Sequence, residues 1–155
     1  MLEKRVLRKT PQSALELPSD LQLLDKTAIL WPENPDDDAI DIARHLEKIL
    51  DGKIVTVVGY SDSCPLKNVE YRRIGEKDAG KFGYPKQEAV GKLSGITAAI
   101  DLSPKFELKL SCLPVLAGIR LRMGRDDARI GGFYNVLMTG KSGREIETLI
   151  GAMIK

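Results

Sequence analysis

Asp101 closes the apolar run ITAAIDL, Ser103 stands two residues further on, and Arg125 follows the run IRLRMG. A carboxylate can accept from a ribose or sugar hydroxyl, and a guanidinium can pair with a phosphate through two parallel N–H donors. Brought together, these three residues would make a site for a polar ligand. Each also has a structural use. Asp101 can orient the start of a helix, and Ser103 ahead of Pro104 has the pattern of an N-cap before a first-turn proline. Arg125 is followed by Asp126 and Asp127, either of which can neutralise it without any ligand.

Lys141 and Ser142 form the second candidate group. With Gly140 they reproduce the tail of a P-loop, but such a loop also needs a glycine five residues before the Gly-Lys pair, where this chain has Asn135. An ATP-hydrolysing motif is therefore excluded. What remains is a helix start whose free N–H groups suit an anion. Arg120 and Arg122 alternate with Ile119, Leu121 and Met123. Period two puts both guanidiniums on one face, as expected of an edge strand guarded by charge. His45 lies inside an amphipathic helix with no nucleophile at a useful spacing. Asp36, Asp37 and Asp38 resemble a metal cluster but are accounted for by helix capping and the macrodipole. Cys64 and Cys112 belong to no C-x-x-C pair, so neither a disulfide framework nor a zinc site is indicated.

These residues sit on an alternating pattern of elements. TAILW, residues 27–31, reads as a short buried strand. The segment PENPDDDAIDIARHLEKILDG reads as a helix capped by Asn34, with Pro35 at its first position, Ile42, Leu46, Ile49 and Leu50 on its apolar face, and Gly52 as its stop. KIVTVVGY and VEYRRI are the second and third strands. Residues 75–93 suggest one or two short helices with a turn at Gly83 to Pro85. ITAAIDL, residues 96–102, is the fourth strand. FELKLSCLPVLAG, residues 106–118, is an apolar helix that Pro114 must bend or begin. IRLRMG and YNVLMTG are the last two strands. SGREIETLIGAMI closes the chain as a helix, with Ser142 and Glu145 at capping-box spacing.

Strands alternating with helices predict a three-layer α/β fold with a mostly parallel sheet of about five to six strands, Rossmann-like or flavodoxin-like. Such sheets bind ligands outside the carboxyl ends of their strands. That rule selects Asp101, Ser103, Arg125, Lys141 and Ser142.

The length of 155 residues suits one domain, read as residues 27–155 behind a basic arm, residues 1–26, that carries Lys4, Arg5, Arg8 and Lys9. With 24 basic and 22 acidic residues the net charge is +2, too near neutral to call for nucleic acid. No apolar run reaches the length of a membrane span and no signal-peptide core opens the chain, so the expected location is the cytoplasm. A single histidine excludes a histidine-rich metal site.

Over most of its length the sequence resembles a family of short bacterial proteins with a Rossmann-like core. The resemblance rests on the basic arm, the early AIL strand, KFGYPK, AAIDLSP and GGFYNVLMTG. Asn135 stands where that family's last motif carries an aspartate. The resemblance implies a fold and no activity. A narrower one, over AAIDLSPKFELKLSCLPVLAGIRLRMGR, is to a unit in the N-terminal domain of heptosyltransferase-type glycosyltransferases. It implies shared architecture.

The expectation that follows is an α/β domain, non-catalytic, that binds a protein partner or a small ligand at the strand ends. Phe133 and Tyr134, after Gly131 and Gly132, are candidate anchors for such a partner. Self-association is one form of it. One alternative is an enzyme acting on a nucleotide or sugar nucleotide, with Asp101 and Arg125 joined in one crevice. Another is an RNA-associated protein using the arm. The residues specify no cofactor.

Overall fold

The computed structural model describes residues 19–78, 80, 84–125, 133–138 and 143–154. Lys4, Arg5, Arg8 and Lys9 of the arm, together with Gly83, Asp126, Asp127, Gly131, Gly132, Lys141 and Ser142, lie outside them.

The six strands are β1 Thr27–Trp31, β2 Ile54–Gly59, β3 Glu70–Arg73, β4 Ala98–Asp101, β5 Leu121–Arg125 and β6 Val136–Met138. They form one sheet in the order β3-β2-β1-β4-β5-β6, with every neighbouring pair parallel. Of the two common doubly wound arrangements this is the one in which strand order reverses between β1 and β4. The helices are α1 Asp37–Ile49, α2 Gln87–Gly91, α3 Leu108–Ser111, α4 Leu113–Leu116 and α5 Gly143–Ile154. All five residues of β1 are buried, as a central parallel strand covered on both faces requires.

Side-chain alternation divides the interior into two layers. Ile29, Trp31, Ile100 and Met123 face α1 and α5, where Ile42, Leu46 and Ile150 meet them. Ala28, Leu30, Val58 and Ala99 face the other way, towards Ala89 of α2, Leu110 of α3 and Leu113 of α4. The α1–α5 contact is tied by polar groups as well. The Gly143 N–H donates to Asp41 Oδ2 at 2.6 Å. His45 lies between Asp41, at 3.5 Å, and Glu147, which it contacts through Nδ1.

Several local expectations change. The α1 N-cap is Asp36, not Asn34, and its Oδ1 accepts from the Ala39 N–H at 2.9 Å. Either residue type can cap, and the carboxylate has the added advantage of the positive helix end. The helix expected over residues 106–118 is broken in two at Cys112, because Pro114 has no N–H and is accepted only in the first turn of α4. Ser103 caps no helix, since the next one begins at Leu108. Residues 19–26, read as the end of the arm, form a 3-10 turn that buries Leu24 and accepts hydrogen bonds from Thr27 and Thr97.

The charge-guarded edge expected at Arg120 and Arg122 is also absent: β5 lies inside the sheet, between β4 and β6. Arg122 is buried, and its guanidinium donates to the carbonyls of Phe133 at 2.8 Å and Ile119 at 2.9 Å. Burial lowers its pKa, but these carbonyls replace the lost water. Asn135 fixes the same loop. Its Oδ1 accepts from the Arg122 N–H at 2.9 Å, and its Nδ2 donates to the Arg120 carbonyl.

Candidate functional site

Asp101 is the last residue of β4, and Arg125 is the last residue of β5 rather than a residue beyond it. In the β4–β5 register Asp101 stands beside Gly124, so Arg125 is one step further along. One step in a strand reverses the side chain. Asp101 therefore projects to the face of α2–α4, with Ala99, and Arg125 to the face of α1 and α5, with Met123. The two residues expected to share a crevice lie on opposite faces of the sheet.

On the first face, Asp101 is 1% exposed and both its oxygens are engaged. Oδ1 accepts from the Ser103 N–H at 2.9 Å, an aspartate closing a turn on its own backbone two residues on. Oδ2 accepts from the Tyr134 hydroxyl at 2.7 Å. The Tyr134 ring lies on Gly124, where a Cβ would come within 2.6 Å of it, so only glycine permits this approach. Burial, followed by the Asp101 charge, raises the Tyr134 pKa far above its ordinary value and keeps the phenol a donor.

On the second face, Arg125 Nη1 donates to Asp36 Oδ1 at 2.8 Å, and Nη2 stands 3.8 Å from Asp38 Oδ2. Burial alone would raise the Asp36 pKa. The hydrogen bonds from Arg125 and the Ala39 N–H outweigh it and hold the carboxyl below its ordinary value. The amino end of α1, where a doubly wound sheet commonly seats a phosphate, thus carries Asp36, Asp37 and Asp38.

Two groups in the turn after β4 differ from these. Ser103 is fully buried, yet its Oγ has no hydrogen-bond partner among the described residues. Glu107 Oε2 is likewise buried and unpartnered. Burial raises the Glu107 pKa, Lys109 partly offsets this, and the charges of Asp101 and Glu33 add to the rise. Lys109 is itself held by Glu33 at 2.7 Å and lies 4.5 Å from the centre of the Tyr60 ring. Glu107 was not among the candidates. Its position between an apolar phenylalanine and an apolar helix start was the available signal.

Among the described residues no cluster of histidine, cysteine, aspartate and glutamate has the arrangement to hold a metal ion, and no helix is long and apolar enough to cross a membrane. A cleft of about 600 Å³ opens elsewhere, along β3, between Tyr71, Arg72 and Lys92. No family model, curated protein or solved structure matches this chain.

Proposed function

We propose that this chain is a non-catalytic binding domain whose site lies at the carboxyl end of β4, on the face of α2–α4. It takes a neutral or cationic group that offers N–H or O–H donors, presented by a protein segment or a small molecule. The observation that carries the reading is a contrast within one turn: Asp101 is satisfied by the chain itself, whereas Ser103 Oγ and Glu107 Oε2 are buried with no partner among the described residues. Buried polar atoms without partners are rare in folded chains and mark places where water or a ligand completes the bonding. An ionised Glu107 accepts from a donor, and Ser103 Oγ accepts or donates. The separation of Asp101 from Arg125 speaks against a nucleotide- or sugar-nucleotide-dependent enzyme built on that pair. The three aspartates at the start of α1 repel the phosphates such an enzyme would hold.

Thermal unfolding followed through Trp31 against two ligand panels tests this. One panel holds nucleotides, sugar nucleotides and sugar phosphates, and the other holds amines, guanidines, polyols and lysine- or arginine-bearing peptides. A ligand at about a hundred times its Kd adds roughly 2.7 kcal/mol. The expected result is a shift in the second panel alone, lost in Glu107→Gln. The reading fails if a sugar nucleotide stabilises the protein and Arg125→Met abolishes that effect.

A further inference from the structure

We propose that β3 is a self-association edge, through which two copies of this chain join antiparallel across a two-fold axis, with Tyr71 opposite Tyr71 and Glu70 of each copy opposite Arg72 of the other. Among the described residues the strand is the outer member of the sheet, paired only with β2. The Ile74 N–H donates to the Gly59 carbonyl at 2.7 Å, and Thr56 Oγ1 donates to the Glu70 carbonyl at 3.0 Å, so the even-numbered residues turn their backbone groups inward. By alternation the N–H and C=O of Tyr71 and Arg73 point out of the sheet, and no described residue bonds to them. The cleft of about 600 Å³ lined by Glu70, Tyr71, Arg72 and Lys92 leaves room beside this edge.

Outward backbone groups pair with outward backbone groups, which leaves four two-fold registers, one centred on each residue of β3. Three of them set Glu70 against Glu70, Arg72 against Arg72 or Arg73 against Arg73. Like charges directly opposite each other are destabilising, so these three are rejected. The fourth centres on Tyr71 and sets Glu70 against Arg72 twice, once on each side of the axis. Edge strands are commonly protected by charge. Here the charges alternate in sign along one face, which blocks most neighbours and admits a reversed copy of the same strand.

Sedimentation equilibrium of the full chain over a range of concentrations is the test, with Glu70→Arg, Arg72→Glu and the double exchange compared. The expected result is a wild-type dimer, a Kd raised at least tenfold in each single variant, and recovery in the double variant, with dimer affinity falling as salt rises. Glu70 is mostly exposed, its carboxylate meeting only Arg72, so Glu70→Arg keeps the fold, and an unchanged unfolding midpoint confirms it. A wild-type chain that stays monomeric at its highest soluble concentration overturns the proposal, including where it then captures an acidic peptide. So does a dimer that Glu70→Arg leaves unchanged.

Discussion

Burial disfavours the charged form of Glu107, and the cost is open to measurement. Its folded pKa lies above the unfolded value, mainly through burial, so its two protonation states contribute unequally. Below the unfolded pKa, near pH 4, the carboxyl is neutral in both states and nothing is lost. As pH rises through the folded pKa, the native state is progressively penalised. Glu107→Gln should therefore raise the unfolding midpoint at pH 7 and leave it nearly unchanged below pH 4, as calorimetry across that range would show. The sequence made Asp101 and Arg125 legible as strand-end residues, because apolar runs stop there. Their opposite faces were not legible, since they depend on whether Arg125 is the last residue of β5 or the first beyond it. Glu107 was hidden for another reason. Its burial follows from the irregular turn after β4, and no periodicity in the sequence sets that turn.

At the scale of elements, α1 was the most readable, because its apolar spacing, acidic first turn and terminal glycine all agree. The cap moved by two residues, and that shift has energetic weight: Asp36 both closes the helix and holds Arg125. Asp36→Ala should destabilise the protein by roughly 2 kcal/mol or more, a cap being worth about 1 kcal/mol and the partner of a buried charge further to that. Asp36→Asn, which keeps an oxygen for Ala39 and removes the charge from Arg125, should lose less. Urea unfolding of the two variants separates the parts. The edge assignment at β5 failed because adjacency in a sheet is non-local. Two arginines spaced two apart look the same on an outer strand in water and on an inner strand whose guanidinium meets backbone carbonyls. Only the strand order distinguishes them, and it places β3, with its own pair of arginines, at one edge and β6 at the other.

Across the whole molecule, the strand order makes β1 and β4 the centre, with two strands on each outer side. Amide hydrogen exchange should rank accordingly. Ile29, Leu30 and Ile100 should exchange only through global unfolding, while Val136 and Leu137 of the β6 edge exchange by local opening at lower free energy. In the monomer Tyr71 belongs with the second group, and its protection in a concentrated sample would rise if β3 pairs. The same topology sets an order in time. The apolar face of α1 is complete once Ile49 has been synthesised, yet α5, which brings Ile150 and the Gly143 contact to Asp41, comes about 100 residues later. At roughly 5 to 20 residues per second this is an interval on the order of 5 to 20 s. Throughout it the emerging chain carries an unfinished interior, and α5 is the piece that seals α1.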